Sequence, residues 1–552
     1  MHGGDRKRDT IAAAEALLDA GDWEGALAVH RRRLAADPAC GETLFALSLA
    51  LHRLGRLDTA VPLLRRAIAL SPGSALLQFN LGQMLSRIGR DDEAVLPYRI
   101  AADLAPDWPA PRGALARLAI AAGDLGRGLA LGRDMAASDP DQALEIFANA
   151  ALACAGFRRW PESLALYREL AGFSPPVRAM LGEALAEGRP VPSLARRPAG
   201  TPGALPPMAG RFREAYEAGG WDRTRVLVLM PRHINCDPAF IEHDLSHYAV
   251  EAARAAGLEV AFIAADDVAY PSCMTPERRL AAPQRLAAIR EQILDLRPDV
   301  IAIDGNTLAD EDTINPDWFL ALKAACPFSL VAIVPDSYGH GHDRIRFWSR
   351  AVDAFVHFEP NVSAVPGVAA NRLLLSPTPV PDYFSPGSDE RFIPGLFVGS
   401  PTGGATSHRA LWLSAMMTHV PDSVALLTNR RADSAPDMTT FAGLHKMARL
   451  SVNSGLRADG LMIVTARTYQ SIKAGCLLLE HEGSRITDFF TPGEHYAAFS
   501  NATDLVRLAA YFLENEDERA AMAENARALM DRHYAAAFFW PYVVRSLRGL
   551  AA

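Results

Sequence analysis

Paired cysteines, long apolar runs and blocks of basic residues are all scarce in this sequence of 552 residues. Its six cysteines lie far apart and form no Cys-x-x-Cys pair, which argues against a structural zinc site and fits a reducing compartment. No run of about 18 uncharged apolar residues occurs, so we expect no membrane-spanning helix. The opening HGGDRKRD lacks the apolar core of a signal peptide. We therefore expect a cytoplasmic protein.

The charge balance excludes a further class of partner. With 56 basic and 64 acidic residues the net charge is −8, and no basic block stands out. Nucleic acid and anionic membrane surfaces are therefore not expected partners. A hydrophobic content of 49% and a charged content of 22% are ordinary for a globular protein. The length predicts more than one domain.

The first third of the chain is a repeat with a period of 34 residues. Prolines mark the period at Pro38, Pro72, Pro106 and Pro140, with Pro175 one residue later than the period. Glycines follow it at Gly21, Gly55, Gly89 and Gly123, with Gly156 one residue early. Small residues come five positions after the first four glycines, at Ala26, Ala60, Ala94 and Gly128. This is the tetratricopeptide pattern of paired helices with a close approach at the small residue.

Five such units predict an all-α tetratricopeptide solenoid over residues 8–180. The concave face of a solenoid commonly binds a peptide, so we expect a protein partner there. Scaffolding or self-association into a homo-oligomer is the alternative. The run Arg31–Arg33 suits an acidic segment, although a charge run is more often a solvated face.

Residues 181–222 are predicted to be a linker, because residues 188–210 contain six prolines and show no helical period. From residue 223 to residue 385, apolar runs alternate with helical stretches, and this predicts a parallel sheet with helices on both faces. The expected strands are RVLVLM, LEVAFIA, DVIAID, LVAIVPD, AFVHFE and RLLLSP. The expected helices include residues 239–256 and 276–296.

A second αβ series is predicted over residues 386–552. It opens with a strand that ends at Gly399, a glycine-containing loop and Arg409 on a helix, which together suit a phosphate. Farther on, residues 461–490 read as strand, helix and strand, with Arg467 to Ser471 at the carboxyl edge of the sheet. An ordinary structural βαβ unit is the alternative for this stretch.

Residues 391–534 resemble the C-terminal half of the spore-maturation (CgeB-like) glycosyltransferases. The motif positions are Arg467, Tyr469, Gln470, Gly475 and the turn at 490–493. The resemblance implies a GT-B fold of two Rossmann-like domains, a nucleotide-sugar donor as co-substrate, no metal and no further cofactor. It also implies that Gln470 stands where the family has a ribose-binding Glu. A neutral amide binds a diol less strongly than a carboxylate does.

The donor-binding residues expected from the motif and the strand ends are Gly399, Arg409, Asn453, Arg467, Gln470, Ser471 and Gly475. The acceptor should approach from the first αβ domain. Residues that could take its proton there are His233, after the first strand, and Asp336 and His340, after the fourth. Asp336, His340, His342 and Asp343 could instead bind a metal. For His233 and Asp237, capping of the following helix is an equal alternative.

These observations predict a glycosyltransferase that moves a sugar from a nucleotide-activated donor to an acceptor hydroxyl. The combination of repeats and GT-B fold is similar to bacterial protein glycosyltransferases that modify flagellin, so a protein acceptor selected by the solenoid is favoured. A non-catalytic adaptor with a degenerate GT-B body is one alternative. An enzyme of surface-polysaccharide assembly is the other.

Overall fold

The computed structural model divides into two compact units, Met1–Phe157 with Ala165–Pro175 and Arg158–Leu164 with Pro176–Ala552. None of the helices in the described part of the chain is long and apolar enough to cross a membrane. The structure describes residues 11–19, 23–53, 56–136, 139–182, 205–271, 274–306, 309–310, 312–334, 341–360, 364–387, 390–399, 408–427, 431–432, 435–455 and 463–551.

The N-terminal region is helical throughout its described residues, as predicted. Its helices are α1 (Ile11–Asp19), α2 (Trp23–Ala36), α3 (Gly41–Arg53), α4 (Leu57–Leu70), α5 (Ala75–Arg87), α6 (Asp91–Leu104), α7 (Pro109–Ala121), α8 (Leu125–Met135), α9 (Pro140–Gly156), α10 (Trp160–Phe173) and α11 (Pro175–Leu181). The first part of α10, up to Leu164, and α11 from Pro176 onward belong to the second unit.

The repeated small residues lie where the helices touch. Ala26, Ala60 and Ala94 are fully buried, and a Cβ added at Gly128 would lie 2.5 Å from Ile120. Gly89 and Gly123 have φ values of +76° and +85° in the turns between helices, a conformation that glycine adopts without strain. The periodic residues therefore determine helix contacts and turns, as the spacing predicts.

The first sheet of the second unit has six parallel strands in the order β2-β1-β3-β4-β5-β6. The strands are β1 (Arg225–Met230), β2 (Glu259–Ala264), β3 (Val300–Asp304), β4 (Ser329–Val334), β5 (Ala354–His357) and β6 (Leu373–Leu375). All six correspond to the predicted apolar runs. The order changes direction between β1 and β3, so this is the switch point of the sheet, where ligands of open α/β sheets bind.

Four helices of eight or more residues accompany this sheet: α13 (Asp244–Ala255), α14 (Pro276–Leu296), α15 (Pro316–Ala325) and α16 (Gly341–Trp348). Helix α14 has the predicted bounds, because the hydroxyl of Thr275 caps it by accepting the N–H of Arg278 at 3.2 Å. The helix predicted from residue 239 begins only at Asp244. Asp237 does not cap it and instead accepts the N–H of Ala239 within the preceding loop, at 2.9 Å.

The second sheet has five parallel strands in the order β11-β10-β9-β7-β8 and the same change of direction, here between β7 and β9. Its strands are β7 (Ile393–Gly399), β8 (Val424–Leu427), β9 (Ala448–Asn453), β10 (Leu477–His481) and β11 (Ala497–Phe499). Its helices are α17 (His408–His419), α18 (Met438–Met447), α19 (Ala466–Lys473), α20 (Ala502–Glu514) and α21 (Glu516–His533). The two-sheet α/β architecture is therefore as predicted.

One predicted strand is wrong. Residues 463–465 precede α19 without forming a strand, and residues 461–462 lie outside the described part of the chain. The strand that pairs with β10 in parallel is β9, so the βαβ unit is β9–α19–β10 with a long loop before the helix. An apolar run long enough for a strand still needs a neighbouring strand for its backbone hydrogen bonds.

Two flanking helices complete the second unit. They are α12 (Arg211–Glu217) and α22 (Phe539–Ala551). Helix α22 buries Phe539 and Trp540 in the core of the first sheet, and the indole N–H of Trp540 donates to the carbonyl of Ala249 at 2.8 Å. Residues 205–222, in the predicted linker, contribute the buried Phe212 to this packing. Residues 183–204 of that linker lie outside the described part.

Candidate functional site

A cluster of polar side chains lies at the carboxyl edge of the second sheet, at its switch point. Gly399 ends β7, Asn453 ends β9, and the first turn of α19 carries Arg467 to the same place. Glu480 on β10 and Arg409 on α17 contribute to the cluster. We call this set of five residues the β7–β9 site.

Arg467 is held across the ends of two strands. Its Nε–H donates to the carbonyl of Val398 at 2.8 Å, and its Nη1 donates to Oδ1 of Asn453 at 2.8 Å. Its guanidinium also lies 4.7 Å from the centroid of the Phe397 ring. These three contacts fix the orientation of a cation at the sheet edge, as is needed for recognition of a phosphate or carboxylate.

Gly399 makes room for this guanidinium. A Cβ at position 399 would collide with Nη2 of Arg467. The φ value of Gly399 is also +153°, which disfavours an L side chain. Gly399, which was predicted to let a ligand approach, therefore lets the side chain of Arg467 lie against the end of β7.

Arg409 brings a second cation to the same aromatic ring. Its guanidinium lies 5.9 Å from the centroid of Phe397, and Nη2 donates to the carbonyl of Ser454 at 2.8 Å. Burial lowers the pKa of Arg409, although an arginine remains protonated in proteins. Arg409 and Arg467, both expected from the sequence at this sheet edge, thus lie against one aromatic ring.

Asn453 links the arginine to a buried carboxyl group. Its Nδ2 donates to Oγ1 of Thr468 at 2.8 Å and to Oε2 of Glu480 at 2.7 Å. Thr468 also donates to Oε2 of Glu480, at 2.9 Å. Glu480 is fully buried, and burial raises its pKa to about 7. Near neutral pH this carboxyl is therefore only partly ionised, and it only partly balances the two arginines.

Three other predicted binding residues have different surroundings. Gln470 is buried and donates from its amide to the hydroxyl of Tyr248 on α13 at 2.5 Å. Ser471 is buried and shares a hydrogen bond with the hydroxyl of Ser451 at 2.7 Å. Gly475 follows the C-terminal end of α19 with a φ value of +75°, away from the end that meets the sheet edge. All three contribute to the packing of α19 in this structure.

Of the three predicted proton acceptors of the first domain, the structure describes one, His233. His233 lies after β1 with Nδ1 3.5 Å from Oδ1 of Asp266, and Asp266 also accepts the N–H of His233 at 2.9 Å. Asp336 and His340 lie outside the described residues. Among the residues that the structure describes, no group of three His, Cys, Asp or Glu side chains could hold a metal ion.

A pocket with about 270 Å³ of empty space, part of it open to solvent, lies at the switch point of the first sheet. Its polar lining residues are Tyr270 and Asp304, and Asp304 ends β3. We call it the Asp304 pocket. Asp304 is not among the residues predicted from the sequence, although an acidic residue at the end of a buried strand, as in DVIAID, indicates a position at the sheet edge.

Glu359 is another buried carboxylate that is not among the predicted residues. It follows β5, is buried, and accepts the N–H of Val464 at 3.1 Å. Val464 stands in the loop before α19, so this bond connects the end of the first sheet to the segment that positions Arg467. Like the bond between Tyr248 and Gln470, it ties α19 to the first domain of the unit.

Two segments of the chain match known protein families. Residues 427–538 match the family described as glycosyl transferase-like. Residues 11–75 and 58–109 match the tetratricopeptide repeat. The chain therefore carries tetratricopeptide repeats in its N-terminal region and a glycosyl transferase-like domain in its C-terminal region. The matched domain includes Asn453, Arg467 and Glu480 of the β7–β9 site.

A search of curated proteins finds no match. Solved structures similar to the repeat region include MamA, at 20% identity over 28% of this chain and 91% of that chain, with a TM-score of 0.26. MamA from Desulfovibrio magneticus RS-1 is 16% identical over 31% of this chain and 97% of that chain, with a TM-score of 0.28. YrrB, described as a TPR protein with an unusual peptide-binding site, is 17% identical over 31% of this chain and 90% of that chain, with a TM-score of 0.27.

Proposed function

We propose that the protein is a GT-B glycosyltransferase that uses a nucleotide-sugar donor. One observation carries the proposal: two guanidinium groups share the ring of Phe397 at the switch point of a parallel sheet. Three strands of that sheet, β9, β10 and β11, lie in the segment that matches the glycosyl transferase-like family. Ligands of open α/β sheets bind at such a point. Two fixed cations at that place suit the phosphates of an activated sugar.

In this proposal Arg467 and Arg409 stabilise the phosphate that leaves with the donor nucleotide. The negative charge on that phosphate grows as the bond to the sugar breaks, and oriented cations lower the energy of this state. The first turn of α19 adds the positive end of a helix dipole. Because arginines supply the positive charge, we propose chemistry that needs no divalent cation and no further cofactor.

The place of Gln470 in donor binding remains a prediction. As the amide donates to Tyr248, a ribose that bonds Gln470 would either use its carbonyl oxygen or replace Tyr248. Asn453, Arg467 and Arg409 are therefore the residues on which we base the donor site.

For the acceptor, we propose a hydroxyl on a protein selected by the tetratricopeptide region. Repeats of this kind present an extended concave surface that can bind a polypeptide. The resemblance to spore-maturation glycosyltransferases, and to bacterial enzymes that modify flagellin, supports a flagellin-like acceptor. Mass spectrometry of proteins from cells with and without this chain would identify the modified protein by the mass of the added sugar.

The donor site is tested by calorimetry with UDP-, GDP- and CMP-sugars and by transfer assays on the Arg467→Ala variant. We expect wild type to bind one of the three donors. The loss of one charged contact to the leaving phosphate should lower the transfer rate by about 10²–10³. Arg449→Ala is the matched control, since Arg449 stands at the amino end of β9 and pairs with Glu516 at 2.6 Å. Equal transfer rates in the two variants would show that Arg467 does not contact the leaving phosphate.

A non-catalytic adaptor is the second candidate, and the bond between Gln470 and Tyr248 favours it. That bond occupies the amide that stands in place of the ribose-binding Glu of the resembling family. An adaptor with a degenerate body should neither hydrolyse nor transfer any of the three donors. Slow donor hydrolysis by wild type in the absence of acceptor, lost in Arg467→Ala, would support the enzyme.

A further inference from the structure

The β7–β9 site holds a buried carboxyl group beside the arginines on which the proposed donor site is based. Glu480 is fully buried, and Asn453 connects it to Arg467. An anion that enters this site therefore meets a group that can itself carry a negative charge. We propose that the site binds its phosphate ligand together with one proton, which Glu480 takes up. The inference rests on the proposed donor site and adds its regulation by pH.

Asn453 fixes Glu480 and Arg467 relative to each other. Its Nδ2 donates to Oε2 of Glu480 at 2.7 Å, and its Oδ1 accepts a hydrogen bond from Nη1 of Arg467 at 2.8 Å. The hydroxyl of Thr465 also donates to Oδ1 of Asn453, at 3.1 Å. Because each side of the amide has its own partners, the amide cannot turn over without losing hydrogen bonds. The carboxyl and the guanidinium are thus held at the two ends of one amide, and their charges interact.

The second oxygen of Glu480 is the place for the added proton. Oε2 accepts hydrogen bonds from Asn453 and Thr468, whereas Oε1 is buried and has no hydrogen-bond partner in the described part of the chain. A proton on Oε1 leaves both hydrogen bonds intact and removes a buried negative charge. Burial raises the pKa of this carboxyl to about 7, so a change in the nearby charge alters its protonation near neutral pH.

The other titratable groups in and beside the site keep one charge state in this pH range. Arg467 on α19 and Arg409 on α17 interact with the charge of Glu480, and both remain protonated. Several further side chains stay neutral, because burial raises the pKa of each tyrosine and lowers the pKa of each histidine. They are Tyr469, Tyr496, His408, His445 and His481. Within the described part of the site, Glu480 is therefore the group whose charge changes.

A bound phosphate favours the protonated form of Glu480. At a separation of about 10 Å and an effective dielectric constant near 20, one phosphate charge favours that form by roughly tenfold. Because binding of the two ligands is linked, the donor then binds about tenfold more tightly to the protonated site than to the ionised site. The affinity for the donor should therefore fall as the pH rises through about 7.

Calorimetry on the full-length chain measures both the affinity and the proton. The probes are UDP-glucose, GDP-mannose and CMP-N-acetylneuraminate, whose esterified phosphates do not titrate near neutral pH. We expect the probe that binds to lose roughly fivefold to tenfold in affinity between about pH 6.5 and about pH 8.5. At about pH 7.5, heats measured in two buffers of different ionisation enthalpy should show uptake of about half a proton per donor.

Two variants and one control assign the proton to Glu480. Glu480→Gln should remove both the pH dependence and the proton uptake, since glutamine has the same shape and gains no proton. The exposed neighbour provides the control Glu482→Gln, which should keep both. Thr468→Val removes a hydrogen bond that lowers the pKa of Glu480, so its affinity for the donor should begin to fall at a higher pH than that of wild type.

The outcomes separate this inference from the proposed function. A wild-type affinity that stays constant with pH, or equal proton uptake by wild type and Glu480→Gln, would overturn the inference and leave the donor site intact. Failure of wild type to bind any of the three probes would overturn the proposed function and this inference with it. Circular dichroism checks the fold of each variant. If Glu480→Gln does not fold, an unshifted pH dependence in Thr468→Val overturns the inference, and a shifted one supports it.

Discussion

Glu480 makes the stability of the second unit depend on pH in a direction opposite to that of most carboxylates. Its Oε2 accepts hydrogen bonds from Asn453 and Thr468, whereas Oε1 is buried without a hydrogen-bond partner in the described structure. Burial raises the pKa from the ordinary value of 4.5 to about 7, more than the nearby Arg467 lowers it. We therefore predict that the stability of Glu480→Gln, relative to wild type, increases as the pH rises toward neutral.

The sign follows from proton binding. Between pH 4.5 and about pH 7 the folded protein binds a proton at Glu480 that the unfolded chain does not, so stability falls as pH rises through this range. At 1.36 kcal/mol for each unit of pKa, the loss amounts to about 3 kcal/mol above pH 7. Glutamine has the same size and no proton to lose. Any cost of its amide N–H beside the apolar core does not depend on pH.

Urea denaturation, followed by tryptophan fluorescence, tests this on the full-length chain between pH 4.5 and pH 8. The free energy of unfolding of Glu480→Gln, minus that of wild type, should rise by about 3 kcal/mol across the range. The exposed neighbour Glu482 provides the control variant Glu482→Gln for loss of a carboxylate at the surface. A difference between Glu480→Gln and wild type that stays constant with pH would refute the reasoning.

Two further predictions concern the contacts that position α19. Gly399→Ala should displace Arg467 and weaken donor binding about tenfold, measured by calorimetry, whereas Gly443→Ala, where an added Cβ meets nothing within 4 Å, should leave it unchanged. Tyr248→Phe should lower the free energy of unfolding by about 1–3 kcal/mol, because the buried amide of Gln470 loses its acceptor. Tyr383→Phe should be neutral or stabilising in the same denaturation assay, since its buried hydroxyl has no hydrogen-bond partner in the part of the chain that the structure describes.

Local patterns were sufficient to predict most of the fold. The 34-residue period specifies helix pairs because the small residues at Ala26, Ala60 and Ala94 act between helices adjacent in the chain. Strands β1, β3, β4 and β5 could be predicted because a strand buried on both faces is a continuous apolar run. Arg467 and Arg409 could be placed at the carboxyl edge because each stands in the first turn of a helix, although the loop between β9 and α19 replaces the strand expected before Arg467.

The tertiary structure alone decided which polar groups meet. Residues 463–465 belong to a predicted strand, but β9 and not this segment pairs with β10. Gln470 and Tyr248 are 222 residues apart in the chain. Asp304, which ends β3, contacts Tyr270 because the loop that carries Tyr270 lies at the same switch point. Such contacts depend on strand order and on packing between distant segments, which local periodicity does not encode. The sequence by itself therefore determined the elements and the two sheet edges, and the packing of those elements determined the buried carboxyls and the pocket.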